Sequence, residues 1–230
     1  MIIQGLQKLT LLDYPGRVAC TVFTAGCNLR CPFCHNAGLV THIDTDNRYD
    51  EEEFFSFLKK RKGILDGVCI TGGEPLLQKD ITDFIRRIRE IGYSVKLDTN
   101  GCYPEKLREI VDGGLVDYVA MDIKNTPEKY GTTVGIDGFD VTPILQSVEI
   151  LKEGKVPYEF RTTVVEEYHS EEDFEIIGKI LSGCEKYFLQ QFKDSGDLIG
   201  EGLNAPDKAK MLKMLESTRK FIPSAELRGL

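Results

Sequence analysis

Three closely spaced cysteines are the residues whose types and spacing most directly imply chemistry. Cys27, Cys31 and Cys34 form a C-x3-C-x2-C pattern on one short stretch of chain. Three thiolates so placed can hold three irons of a cubane cluster and leave the fourth iron without a protein ligand, whereas electron-transfer clusters normally use four cysteines. An open coordination position distinguishes a catalytic metal centre from a closed structural one. The pattern therefore favours an open, catalytic iron–sulfur cluster.

A structural zinc site built from the same cysteines and a histidine is the alternative interpretation. His35 directly follows Cys34, which makes joint ligation of one ion awkward, and His42 lies further along the same stretch. The chain has seven cysteines in total, an odd number, and the other four are scattered. This usage disfavours a disulfide scaffold and favours metal or redox chemistry.

Polar groups follow several of the β-rich runs downstream of the cysteines. Gly72, Gly73 and Glu74 follow one such run, where exposed backbone carbonyls could accept bonds from an ammonium group. Later runs contain or precede further candidates: Asp98, Thr99, Asp122, Lys124, Arg161, Gln190, Gln191 and Lys193. Polar groups at the ends of several consecutive strands are best explained by one shared pocket.

The elements that must position these groups alternate between short β-rich runs and amphipathic helical stretches. Strands are expected at 17–23, 67–71, 94–99, 117–123, 156–165 and 186–191, and helices at 50–60, 80–91, 104–112, 142–153, 170–181 and 205–221. A complete eight-unit barrel takes about 250 residues. Six units in 230 residues therefore predict an α/β fold, an incomplete (βα)6 TIM-like barrel with parallel strands, the alternative being an open doubly wound sheet. Both place the ligand site at the carboxyl ends of the strands.

We expect a single domain over 1–230, with a cluster-binding loop at 24–48. The formal net charge of −8 argues against a duplex nucleic-acid partner, which would require a basic face. No apolar run approaches the roughly 18–20 residues of a membrane span, and the first residues lack the regions of a signal peptide. A cytoplasmic location is expected.

The motifs taken together resemble the radical S-adenosylmethionine superfamily. The cysteine pattern after the first strand, with Phe33 just before its last cysteine, and GGEP at 72–75 carry this resemblance. DYPG at 13–16, CPFCHN at 31–36, DTNG at 98–101 and MDIK at 121–124 narrow it to the activating enzymes of glycyl-radical enzymes. The stretch TLLDYPGRVACTVFTAGCNLRCPFCHN at 10–36 looks most like the activating proteins of anaerobic ribonucleoside-triphosphate reductases, with pyruvate formate-lyase activases as near relatives.

The resemblance implies a role for each matching position. Cys27, Cys31 and Cys34 would bind one 4Fe-4S cluster, and the amino and carboxylate groups of S-adenosylmethionine would chelate its open iron. The other matches would contact this cofactor: Gly72, Gly73 and Glu74 at the methionine amino group; Asp98, Thr99 and Asp122 around the carboxylate, where relatives can place a monovalent cation; Lys124 paired with the carboxylate; backbone near Phe33 and His35 at the adenine; and Arg161 as a further contact.

The resemblance also implies a reaction and its partners. A reduced cluster would cleave S-adenosylmethionine to methionine and a 5′-deoxyadenosyl radical, which would take a hydrogen atom from the Cα of a glycine in a partner enzyme. The expected partners are the large subunit of an anaerobic ribonucleoside-triphosphate reductase and a flavodoxin- or ferredoxin-type electron donor, with no nucleic acid and no membrane. One departure weakens a formate-lyase assignment: where those activases carry a histidine after the last strand, this chain has Gln190 and Gln191.

Three alternatives stay open at this point. The target could be another glycyl-radical enzyme of the pyruvate formate-lyase type, or a small molecule such as a deazapurine precursor. A non-catalytic zinc- or cluster-binding module is the alternative from a different class, but it leaves the GGEP, DTNG and MDIK motifs unexplained.

Overall fold

A single eight-stranded sheet organises the chain, and the computed structural model describes residues 1–43 and 48–230. Its strands are β1 (Ile3–Thr10), β2 (Ala19–Thr24), β3 (Gly67–Gly72), β4 (Ser94–Thr99), β5 (Tyr118–Asp122), β6 (Tyr158–Val164), β7 (Tyr187–Gln191) and β8 (Glu226–Arg228). They lie in the sheet in chain order, β1 to β8. β1 is antiparallel to β2, and each later pair of neighbours is parallel. Positions 44–47 of the predicted cluster loop lie outside the described residues.

Helices connect the parallel strands. They are α1 (Ala37–Thr41), α2 (Glu51–Lys60), α3 (Ile81–Ile91), α4 (Pro104–Asp112), α5 (Tyr130–Val134), α6 (Thr142–Lys152), α7 (Glu171–Ile180) and α8 (Lys208–Arg219), with a 3-10 turn at Pro75–Leu77. Each strand from β2 to β7 is followed by at least one helix, which confirms the six βα units. A doubly wound sheet requires the strand order to reverse. The sequential order excludes that alternative, and the described sheet is an open, incomplete barrel.

The two faces of the sheet differ sharply in polarity because successive side chains on a strand point to opposite sides. One cross-strand row consists of Val22, Ile70, Leu97, Val119 and Tyr158, all buried and apolar. These residues belong to the main hydrophobic core, together with apolar residues of the connecting helices. The opposite face carries polar and charged residues: Thr21, Lys96, Asp98, Asp122, Glu159 and Arg161.

Local sequence explains where several helices begin. The Asp50 carboxylate accepts hydrogen bonds from the backbone N–H groups of Glu52 and Glu53, as expected of an N-cap. The backbone N–H of Ser170 donates to the Asp173 carboxylate at 2.8 Å. Among the described helices, none combines the length and the apolar character that a membrane crossing would need.

Candidate active site

The three cysteines lie on the segment between β2 and α1, at the carboxyl end of the parallel strands. Leu29 directs its backbone N–H at the Cys27 sulfur from 3.3 Å, and the Asn100 side chain directs Nδ2 at the same sulfur from 3.7 Å. N–H groups aimed at a sulfur stabilise its thiolate and tune a bound iron cluster. The donor set therefore fits an iron–sulfur cluster.

Burial favours the protonated form of the Cys27 and Cys31 thiols. It raises the pKa of the Cys31 thiol to about 12, with Lys124 opposing the effect and the other two cysteines adding to it. Burial also raises the pKa of Cys27, although the hydrogen bond from the Leu29 N–H opposes that rise. Binding of a metal to such thiols requires the loss of their protons. Among the described residues, no group of three or more His, Cys, Asp or Glu side chains is placed to hold a single metal ion.

The end of β3 fixes the start of the cysteine segment. Gly73 donates its N–H to the Thr24 carbonyl and Glu74 donates its N–H to the Gly26 carbonyl, at 2.9 and 2.8 Å. A Cβ at position 73 would lie only 1.9 Å from the Gly26 oxygen, so no other residue type fits there without displacing backbone. On the far side of the segment, Asn36 Nδ2 donates to the Gly72 carbonyl at 3.2 Å.

Glu74 follows Gly73 at the end of β3, and it does not line the cavity. Its carboxylate is fully buried and accepts three hydrogen bonds, from the Leu76 N–H (3.0 Å), the Thr99 hydroxyl (2.8 Å) and the Asn100 N–H (2.7 Å). Burial raises the pKa of Glu74 to about 7 against the opposing effect of these donors. The residue thus ties the end of β3 to the end of β4, and its contact with a methionine amino group stays a prediction.

Five alternating charges cross β4, β5 and β6 at the floor of the site; we call them the charge ladder. Its members are Lys96, Asp98, Arg161, Asp122 and Lys124. Lys96 pairs with Asp98, whose other oxygen lies 3.4 Å from Arg161 Nη1. Arg161 Nε lies 3.0 Å from one oxygen of Asp122, and Lys124 Nζ lies 3.0 Å from the other.

The two neighbouring cations keep the Asp122 carboxyl ionised. Burial opposes the charged form of Asp122, but Arg161 and Lys124 outweigh it and lower the pKa of that carboxyl to about 2. The carboxylates in turn raise the pKa of both Lys124 and Arg161 above their ordinary values, against the effect of burial. Three cations face two anions, so the ladder carries one net positive charge, which favours an anionic group of a ligand.

A cavity of about 250 Å³ joins these parts. Twelve of the thirteen predicted site residues line it: Cys27, Cys31, Phe33, Cys34, His35, Gly72, Gly73, Asp98, Thr99, Asp122, Lys124 and Arg161. Phe33 lies with its ring centroid 6.0 Å from Lys124 Nζ, and His35 stacks on Phe192 at 5.7 Å between centroids. The cavity therefore brings thiols, backbone carbonyls and a net positive floor together.

Sequence reasoning did not assign a role to several other lining residues: Leu29, Asn36, Val40, Thr71, Asn100, Thr163 and Gln190. Asn36 and Asn100 stand inside the CPFCHN and DTNG motifs, so their positions within those motifs were the available signal. Gln190 stands near the end of β7, where the departure from the formate-lyase pattern already marked it.

Comparison with known proteins places the chain in a family. Residues 21–180 match the family model described as the Radical SAM superfamily. The chain belongs to the radical S-adenosylmethionine superfamily. Members of this superfamily use a 4Fe-4S cluster and S-adenosylmethionine, which the donor set and the cavity described above fit.

Individual relatives narrow the assignment within the superfamily. The chain is 34% identical, over 100% of its own length and 96% of the relative, to a Methanocaldococcus jannaschii protein that is named, without a stated target, as a glycyl-radical enzyme activating enzyme. It is 28% identical to the pyruvate formate-lyase-activating enzyme of Listeria monocytogenes, over 71% of this chain and 68% of that one. The chain is accordingly a radical S-adenosylmethionine enzyme of the glycyl-radical-enzyme activating family, an oxidoreductase-type catalyst.

Solved structures of the superfamily share the fold. Streptococcus suis SuiB bound to S-adenosylmethionine superposes with a TM-score of 0.66 at 15% identity, over 90% of this chain and 49% of that one. A domain of a pyruvate-formate lyase-activating enzyme from Bacteroides vulgatus gives a TM-score of 0.58 at 19% identity, over 71% and 99% of the two chains. The incomplete TIM-like barrel is thereby confirmed.

Proposed function

We propose that this chain installs the glycyl radical on an anaerobic ribonucleoside-triphosphate reductase, as one domain that spans residues 1–230. The observation that carries the general reaction is the cavity in which the three cysteines of the C-x3-C-x2-C pattern face Gly72, Gly73 and the charge ladder. The choice of reductase as the target is supported by the form of the stretch at 10–36 and by the stretch at 189–193, which has no histidine where formate-lyase activases carry one.

In this proposal, different residues of the cavity bind the cluster and the separate groups of S-adenosylmethionine. Cys27, Cys31 and Cys34 hold the cluster through three irons. Lys124 pairs with the carboxylate of S-adenosylmethionine, the backbone of Gly72 and Gly73 meets its amino group, and the backbone near Phe33 and His35 meets its adenine. When bound, the reduced cluster and S-adenosylmethionine supply the radical chemistry that removes a hydrogen atom from the target glycine. The protein contributes chelation, orientation and exclusion of water.

A flavodoxin- or ferredoxin-type protein supplies the electron in this proposal. The partner glycine must come within van der Waals reach of the reacting carbon, because proximity and orientation are the main means by which the protein accelerates the transfer. The open sheet is compatible with entry of a backbone segment from another protein, since the described β1 and β8 do not pair with each other.

Electron paramagnetic resonance on two candidate targets tests the proposal. The reconstituted enzyme, S-adenosylmethionine and a reductant are mixed anaerobically with the large subunit of an anaerobic ribonucleoside-triphosphate reductase or with pyruvate formate-lyase. A glycyl-radical signal is expected on the reductase and not on the lyase. A signal on the lyase alone would replace the proposed target with the formate-lyase type.

Two controls separate target choice from the basic chemistry. Cys31→Ala is expected to lose both the cluster and the formation of 5′-deoxyadenosine. Cys184 is buried and does not line the cavity, so Cys184→Ala is expected to retain both. Cleavage of S-adenosylmethionine by the Cys31→Ala chain would contradict the cluster assignment.

A further inference from the structure

The carboxylates of Asp98 and Asp122 stand where relatives can hold a monovalent cation, and in this chain a guanidinium lies between them. Arg161 Nε lies 3.0 Å from Asp122 Oδ1, and Arg161 Nη1 lies 3.4 Å from Asp98 Oδ2. Arg161 and Asp122 are register partners on adjacent strands, which accounts for the shorter of the two contacts.

The contact with Asp98 needs a gap in the sheet surface. Asp98 is on β4 and Arg161 is on β6, so their backbones are separated by two strand spacings, roughly 9.6 Å. The β5 residue in register with Asp98 is Ala120, which is fully buried and has a side chain of one carbon. A small residue on the intervening strand lets the long arginine side chain cross β5 to the far carboxylate.

The remaining carboxylate oxygens are also occupied. Asp98 Oδ1 pairs with the buried Lys96, and Asp122 Oδ2 pairs with Lys124. All four oxygens therefore face fixed cations, and a metal ion at this place would meet three positive side chains at close range. Each carboxylate oxygen that could bind Na⁺ or K⁺ thus already has a cationic partner.

We infer that the Arg161 guanidinium is the resident cation of this site, so that the enzyme holds Asp98 and Asp122 together without bound Na⁺ or K⁺. Arg161 acts as a positioning residue: by holding Asp122, it orients the carboxylate that places Lys124 in the cavity. The inference deepens the proposed function and rests on it for the identity of the ligand, S-adenosylmethionine, but its first test needs no ligand.

That test compares the thermal unfolding midpoint of the reconstituted enzyme in potassium chloride and in tetramethylammonium chloride at equal ionic strength. Tetramethylammonium is too large and too apolar to replace K⁺ between two carboxylates. The wild-type midpoint is expected to be the same in both salts. Arg161→Gln opens a space between two carboxylates, so its midpoint is expected to be higher in K⁺ by about 3 °C.

The matched control is Arg108→Gln. Arg108 also pairs with a carboxylate through two nitrogens, at 2.7 and 3.1 Å from Glu153, but on the exposed surface of α4. It is expected to show no preference for K⁺. Should Arg161→Gln fail to fold, Arg161→Met keeps the volume of the side chain without its charge and is expected to show the same K⁺ response. A wild-type midpoint that rises in K⁺, or an Arg161 variant that ignores K⁺, would each overturn the inference.

The affinity for S-adenosylmethionine gives the second measurement. In tetramethylammonium chloride, Arg161→Gln is expected to bind S-adenosylmethionine about tenfold more weakly than the wild type, and K⁺ is expected to restore most of the loss. A wild-type enzyme that binds no S-adenosylmethionine in either salt would defeat the proposed function, while the unfolding comparison would still decide the role of Arg161.

Discussion

Lys124 joins the cysteine segment to the charge ladder. Its Nζ lies 3.0 Å from Asp122 and 6.0 Å from the ring centroid of Phe33. In the sequence, Phe33 stands between the second and third cysteines of the pattern. The Lys124 side chain is largely buried, and Asp122 raises its pKa against the effect of burial, so it stays charged at any physiological pH. A fixed, desolvated ammonium group is suited to binding an anionic group of a ligand, because charge-assisted hydrogen bonds are stronger than those between neutral groups.

Replacement of Lys124 by alanine tests this role. The affinity for S-adenosylmethionine is expected to fall by about tenfold or more, because the carboxylate of the ligand loses its charge partner. The iron content is expected to stay unchanged because Lys124 holds no metal. Binding measured by anaerobic calorimetry, together with iron analysis, checks both expectations.

Lys129→Ala serves as the control for that substitution. Lys129 lies five residues further along and pairs with Asp173 at 2.7 Å, and it does not line the cavity. Its replacement is expected to leave the affinity unchanged. An unaltered affinity in Lys124→Ala would remove Lys124 from the ligand site.

At the residue scale, motif positions could be predicted but pairings could not. The motifs CPFCHN, DTNG and MDIK supplied eight of the twelve predicted residues that line the cavity. The pairing of each carboxylate with its cation depends on strand register and on the small side chain of Ala120. Neither can be read from the motifs, so the charge ladder could not be predicted from the sequence. Glu74 was predicted from the GGEP motif; its carboxylate is buried in the protein interior, and its predicted contact with the cofactor stays a prediction.

The contact between the end of β3 and the cysteine segment is the decisive feature at the scale of elements. Two backbone hydrogen bonds and the absence of a side chain at Gly73 bring the two segments together. The position of the cysteine segment therefore depends on Gly73, which has no side chain.

Gly73→Ala is expected to destabilise the enzyme and to loosen its cluster. The added Cβ would lie 1.9 Å from the Gly26 oxygen, so backbone must move, at a cost of at least about 2 kcal/mol. The iron retained after gel filtration and the free energy of unfolding in urea provide the two measurements.

Gly38→Ala is the matched comparison, in α1, which directly follows the cysteine segment. An added Cβ there would meet only Asp197 at 3.7 Å, an ordinary contact, and alanine favours a helix over glycine. Stability and iron content are expected to be kept or slightly improved. An equal loss of stability and iron in both variants would contradict a specific clash at Gly73. It would show instead that this part of the chain is sensitive to any added side-chain carbon.

Long amphipathic elements could be predicted from the sequence, whereas short or half-exposed ones could not. The six predicted strands and six predicted helices each correspond to an observed element. β1 was missed because it is an edge strand with several partly or fully exposed residues, and α1, α5 and β8 have only five, five and three residues. Elements that short show no measurable hydrophobic period.

Besides its backbone pairing with β7, the last strand of the sheet is held by a half-buried ion pair. Arg228 on β8 donates to both oxygens of Glu159 on β6, at 2.8 and 3.0 Å, and its guanidinium also lies 3.2 Å from the ring centroid of Phe188. Glu159 is almost fully buried, and Tyr118 adds a third hydrogen bond to its carboxylate at 3.0 Å. These contacts thus connect β8 with β6 and β5.

Arg228→Ala is expected to lower the free energy of unfolding by about 2–3 kcal/mol, less than the 3–5 kcal/mol of a fully buried pair, because Arg228 is about one-third exposed. Burial opposes the charged form of Glu159, but Arg228 outweighs it and lowers its pKa in the folded chain. The benefit is therefore present at neutral pH and lost as the pH falls below the ordinary carboxyl range.

Urea titrations of the wild type and of Arg228→Ala between pH 7 and pH 3 measure this difference. The gap in stability is expected to narrow towards acid. Adding Glu159→Gln to Arg228→Ala removes the orphaned charge and is expected to recover part of the loss. A gap that is constant with pH would show that Arg228 stabilises β8 by packing on Phe188 alone.

The three hydrogen bonds accepted by Glu74 have a consequence for amide hydrogen exchange. The N–H groups of Leu76 and Asn100 lie outside the strands, yet both point at this buried carboxylate. Neither can reach solvent until Glu74 leaves its place, so the two amides are expected to exchange slowly and at matching rates, and Glu74→Gln, which puts a donor where one acceptor stood, is expected to accelerate both. The turns after β3 and β4 would then open as one unit, and the cysteine segment hydrogen-bonded to the first of them would open with it.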